Sequence, residues 1–76
     1  MTTLDTLSPS NFGRIVNVTG SGAISQRLME MGLIEGSTVE VIRLAPLGDP
    51  MQVSVHDYSL SLRKSEAALV EVELCG

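Results

Sequence analysis

The sequence predicts a mainly β fold, a small five-stranded β-barrel with one short α-helix inserted after the first strand. Three observations carry that expectation. Five segments are β-branched or alternate apolar with polar residues at a period of two. One segment alone, residues 23–31, repeats apolar residues at helical spacing. The chain of 76 residues is one domain in length, near the lower limit for a core that holds without covalent staples. In so small a barrel side chains fill the interior, which leaves no room for a ligand.

Residues 1–10 are polar and read as a loose lead-in, with a turn after Ser8 where Pro9 suits a first helical position. Residues 14–18 form the first strand, with Val16 and Val18 expected to face inward. Gly20-Ser21-Gly22 then breaks the chain. In the helix that follows, Ile24, Leu28 and Met31 share one face, and Ser21 or Ser25 caps its start. Gly32 ends it in the left-handed conformation, where a Cβ would clash, and Leu33 returns to touch Leu28. Gly36 fits the third position of a type II turn across Ile34-Glu35-Gly36-Ser37.

A second strand runs over residues 38–44, where adjacent Val41 and Ile42 break the alternation through a bulge or through burial on both faces. Pro46 and Pro50 bound the loop after it. Three strands with cleaner alternation complete the set. Met51, Val53 and Val55 face inward in the first, Tyr58, Leu60 and Leu62 in the second, and Val70, Val72 and Leu74 in the third. Asp57-Tyr58 makes a tight connection, and Lys64-Ser65-Glu66 a short helical turn.

Composition narrows the function. The formal charge is −4, and five Lys and Arg are too few for a protein that neutralises phosphates, so no nucleic acid is expected. Phe12 and Tyr58 are too few aromatics for base stacking. Cys75 is the single cysteine, which excludes an internal disulfide. The first residues lack the basic and apolar runs of a secretion signal. The longest aliphatic run, residues 67–70, falls far short of the roughly 20 needed to cross a bilayer. A cytoplasmic, soluble domain without membrane insertion is therefore expected.

Catalysis finds no foothold. His56 is the one histidine and reads as an outward surface residue, with Asp57 beside it as a turn former. The carboxylates are scattered without calcium-loop spacing, and the glycines match no phosphate-binding signature. The sequence thus predicts no enzyme, no catalytic residues and no cofactor. His56, Asp57 and Cys75 are able ligands for iron or zinc, but their spacing matches no closed site, so no metal residues are assigned. Two chains pooling ligands are the remaining route to a metal site. Exposed sheet edges also permit a homo-oligomer.

Binding is left, and the loop at residues 45–50 is its natural seat. Leu47, between Pro46 and Gly48, either folds back over the barrel mouth or stands out as a docking contact. Arg63 and Lys64 are a solvated edge or an anchor for an acidic surface.

These segments resemble a known family. Arg27-Leu28-Met29-Glu30-Met31-Gly32-Leu33, then Gly36, then Ala45-Pro46-Leu47-Gly48-Asp49-Pro50, then Leu62-Arg63-Lys64 with Ala67, are similar to the ferrous iron transport protein A family, FeoA. The resemblance covers residues 13–72, and the loop run is its most specific part. Members commonly carry proline where this chain has Glu35, which costs the turn some rigidity. The resemblance implies an SH3-like barrel in the bacterial cytosol that works with the ferrous iron permease FeoB, itself a GTPase and membrane channel. On this reading the chain is an accessory protein that docks on the permease and modulates it. The expected partner-binding residues are Arg27 and Glu30 on the helix, Pro46, Leu47, Gly48, Asp49 and Pro50 in the loop, and Arg63 and Lys64 at the late turn. The alternative is a metal-responsive module that binds a divalent transition metal directly, at a dimer interface.

Overall fold

A computed structural model describes residues 2–20 and 22–75 of the chain. Its strands are β1 (Thr2–Thr3), β2 (Phe12–Val18), β3 (Thr38–Leu44), β4 (Met51–Val55), β5 (Tyr58–Leu62) and β6 (Val70–Cys75). Helix α1 (Ala23–Glu30) follows β2, α2 (Lys64–Ala67) follows β5, and a 3-10 turn (Leu4–Thr6) follows β1. The strands form one antiparallel sheet in the order β1-β6-β2-β3-β4-β5.

The expected barrel is corrected in two ways. The sheet has six strands, and it does not close, because β5 and β1 stand at its opposite edges. With only two residues, β1 offers too few backbone groups to zip against the five of β5. Helix α2 and the 3-10 turn meet across the gap instead, where Lys64 Nζ donates to the Asp5 carbonyl at 3.4 Å. Nor is the lead-in loose. Thr2 and Thr3 pair with Val72 and Glu71, while Leu4 and Leu7 are buried in the core. A Cβ on Gly13 would stand 3.0 Å from Val72 Cβ and 3.3 Å from Leu7 Cδ1, so the N-terminal segment packs directly onto β2. The turn after Ser8 is present, closed by Asn11 N–H to the Ser8 carbonyl at 3.0 Å.

The core gathers Leu4, Ile15, Leu28, Leu33, Val39, Val41, Met51, Val53, Val55, Leu62, Val70 and Val72. Alternation predicts β4 fully and its neighbours in part. A register shift between Ile15 and Asn17 makes Val16 an extra residue in β2, so Ile15 is buried and Val16 only half-buried. Val18 packs on the core as expected. A second shift, between Val41 and Arg43, puts a bulge at Ile42 and resolves the broken alternation of β3. Tyr58 and Leu74, expected inside, are exposed at sheet ends where the core has run out.

Helix α1 keeps the expected face only at Leu28 and Met31, and Ile24 in its first turn is half-exposed. Its N-cap is Gly22, with no side-chain cap. The Ser25 hydroxyl donates to the Gly22 carbonyl at 3.4 Å rather than accepting, and Ser21 lies outside the described residues. The helix end follows its local chemistry closely. Gly32 has φ 98°, its N–H donates to the Met29 carbonyl at 3.0 Å, and Leu33 N–H donates to the Leu28 carbonyl at 3.1 Å. That pair of bonds is the Schellman closure. The Gly36 turn also forms, with φ 93° and Ser37 N–H donating to the Ile34 carbonyl at 3.1 Å.

Candidate functional site

The loop after β3 is held by its own backbone. Gly48 N–H donates to the Ala45 carbonyl at 2.7 Å, and Ala45 N–H to the Pro50 carbonyl at 3.0 Å. This frame leaves Leu47 96% exposed, the most exposed large apolar residue described. It does not fold back over the sheet. An isolated exposed leucine is ordinary on a protein surface, but this one tops a loop tied down at both ends.

Helix α2 is the hub that ties the loop to the rest of the site. Asp49 Oδ1 accepts from the Lys64 N–H at 2.9 Å, where a carboxylate meets the free donors of a helix start. Glu66 accepts from the Arg63 N–H at 3.0 Å through one carboxylate oxygen and pairs with Arg27 of α1 through the other. The expected residues Arg27, Asp49, Arg63 and Lys64 are thereby linked into one end of the molecule, with Leu47 at its crest. Glu30 lies one turn beyond Arg27 and accepts from Gln26 Nε2 at 3.3 Å. Lys64 has a further contact. Its ammonium donates to the Asp5 carbonyl and so helps fasten the N-terminal segment.

Beside the loop the outer face of the sheet is hollowed. A depression of about 500 Å³ is lined by Arg43, Leu44, Ala45, Pro46, Pro50, Gln52 and Ser61. Arg43 and Gln52 are cross-strand partners, as are Gln52 and Ser61, so the three side chains stand in a row. Arg43 Nε donates to Gln52 Oε1 at 2.9 Å. Sequence reasoning did not single out Arg43, because the Ile42 bulge hides its parity.

The opposite end of the β4–β5 hairpin is built differently. Val55 and Tyr58 pair, so His56 and Asp57 form a two-residue loop, and His56 takes φ 57°. The Tyr58 hydroxyl donates to the Met31 carbonyl, and His56 Nε2 lies 3.5 Å from Ser37 Oγ. A shallower hollow of about 310 Å³ runs from His56 past Ser54 and Glu40 to Phe12. Cys75, the cross-strand neighbour of Phe12, is exposed. Among the described residues no three His, Cys, Asp or Glu side chains stand together to hold a metal ion. The donor set of one chain therefore does not fit a closed metal site.

Among the described residues no helix is long and apolar enough to cross a membrane. No polar or charged side chain is buried among them either, so these residues form no enclosed cleft with convergent ionisable groups.

Comparison with known proteins supplies what geometry alone does not. The family model described as FeoA domain matches residues 2–74. Over 60 residues the chain is 47% identical to a Fe(2+) transport protein A/Fe(2+) transporter FeoB fusion protein of Porphyromonas gingivalis. The match takes in 79% of this chain but spans only 7% of the fusion's length. The solution structure of iron(II) transport protein A from Clostridium thermocellum superposes with a TM-score of 0.92 at 37% identity, over 96% of this chain and 45% of that one. The crystal structure of Stenotrophomonas maltophilia FeoA complexed with zinc, described as a procaryotic SH3 domain protein, gives 0.84 at 31% identity. It covers 96% of this chain and 91% of that one.

Proposed function

This chain belongs to the FeoA family, small accessory transport proteins and not enzymes, and from that premise we propose that it serves ferrous iron uptake by docking on a FeoB-type permease in the cytoplasm. The observation that carries the reading is the fusion in Porphyromonas gingivalis, where a 47% identical segment is continuous with FeoB. Fusion suits two modules that act together, because tethering raises the effective concentration of one for the other. The docking end combines the Leu47 loop, α2 and the Arg27–Glu66 link. The scaffold is a rigid sheet that transforms no substrate. Binding one state of the permease better than another shifts the permease toward that state by the difference in affinity, with no chemistry in the accessory chain.

Co-purification and uptake test this together. The tagged chain should retain the permease of its own organism, and deleting its gene should slow ferrous uptake. Unimpaired uptake in the deletion strain would end the proposal.

A second reading, a module that binds a divalent metal itself, draws on the zinc in the Stenotrophomonas maltophilia relative. In this chain it needs two copies to pool His56, Asp57 and Cys75. Light scattering with and without zinc decides it: dimerisation lost in His56→Ala and Cys75→Ser would support it, and an unchanged mass would remove it.

A further inference from the structure

We infer that the hollow beside the Leu47 loop is an anchor for an acidic segment of a protein partner, gripped by Arg43 and Arg63. The inference rests on the docking reading and adds to it a residue, a surface and a partner chemistry. It starts from the charges. The molecule is net acidic at −4, and it has four arginines, at positions 14, 27, 43 and 63. Arg14 pairs with Glu73 and Arg27 with Glu66. Among the described residues the guanidinium groups of Arg43 and Arg63 have no carboxylate partner, and both residues lie at the end of the sheet beside the loop of residues 45–50.

Their placement is specific. Arg43 and Ser61 line the hollow in one cross-strand row, and Arg63 follows Ser61 by two residues just beyond the end of β5. Its backbone is still extended there (φ −69°, ψ 148°), so Arg63 keeps the side of Ser61 and stands beside the hollow rather than in its lining. The Arg43 guanidinium is held by its Nε to Gln52, which leaves both Nη groups free as a fork. A fork fixed in place matches a carboxylate with two parallel hydrogen bonds and loses little side-chain freedom on binding. No carboxylate lines the hollow. The nearby Asp49 accepts from the Lys64 N–H, and Asp5 from the Thr3 hydroxyl.

The rest of the occupant follows from the rim. Pro46 and Pro50 offer apolar walls, and Leu47 stands over them at 96% exposure. An acidic stretch carrying an apolar residue satisfies both the arginines and the leucine. An anionic membrane fits poorly, since it is held by a broad cluster of basic side chains, and of the five Lys and Arg in this chain two arginines are already paired with carboxylates. Opposite charge at the rim of an interface chiefly speeds encounter and makes binding salt-sensitive.

The test uses the isotope-labelled full chain and the detergent-solubilised FeoB-type permease of the same organism. Permease should broaden the amide signals of residues 43, 47, 52, 61 and 63. Raising salt from 50 to 300 mM should weaken binding about tenfold, and Arg43→Glu and Arg63→Glu should each do so by about as much at low salt. Both substitutions sit on exposed side chains, and unchanged spectra of the free variants show that they fold. Arg43→Lys should recover only part of the loss, because an ammonium cannot replace the fork. Binding that is salt-insensitive, or that broadens residues elsewhere, overturns this inference and leaves docking standing. Failure to bind the permease at all overturns both. Broadening by phosphatidylglycerol vesicles, or a concentration-dependent rise in mass of the free chain, would assign the hollow to lipid or to a second copy and likewise refute it.

Discussion

The two ends of the β4–β5 hairpin invite comparison. At one end the turn at His56–Asp57 is locked to the close of α1, with the Tyr58 hydroxyl on the Met31 carbonyl and the ring against Gly32. At the other, the loop of residues 45–50 is locked to α2 through Asp49, yet it lifts Leu47 almost wholly into water. Both ends are tied by side chain to backbone. The first uses its ties to close the fold, and the second uses them to present a surface. Rigidity at the second end favours binding, since a loop already ordered loses little entropy when it docks.

Substitutions at the two ends should therefore separate stability from binding. Leu28→Ala, beneath the first end, should cost most, about 2–5 kcal/mol, because it empties part of the core. Gly32→Ala should follow at about 2 kcal/mol. It forces a Cβ into φ 98°, with the Tyr58 hydroxyl oxygen standing against the place that carbon would take. Thermal or urea unfolding reads both losses, and a Gly32→Ala variant as stable as the parent would refute the closing role of the first end. Asp49→Ala, which unties the loop from α2, should cost about 1 kcal/mol by urea unfolding. Leu47→Ala should change stability by less than about 0.5 kcal/mol. Loss of permease retention in that variant, with its melting curve unmoved, would sharpen the contrast, whereas a large loss of stability would erase it.

The same contrast explains what the sequence made legible. The helix end at Gly32, the turn at Gly36 and the strand at β4 depend on residues close in sequence, and each was foreseen. The candidate docking residues of α1, the loop and α2 read from the sequence as separate segments. Their union through Glu66 and Asp49 was not foreseen, because Arg27 and Glu66 lie 39 residues apart. Bulges at Val16 and Ile42 depend on which strand lies alongside, so the inward parity of β2 and the place of Arg43 stayed hidden. The open edge had the same cause. Nothing local in the polar residues 1–10 announces that Leu4 and Leu7 will be drawn into the core while β1 remains too short to close the sheet.

Uptake of ferrous iron by a deletion strain carrying Leu47→Asp at matched abundance weighs the whole account most directly. A molecule that works by presenting this end to a permease should leave uptake at the level of the empty strain, while its purified form melts like the parent. Full uptake from that variant would contradict the account, because nothing would then depend on the surface that the loop is built to display.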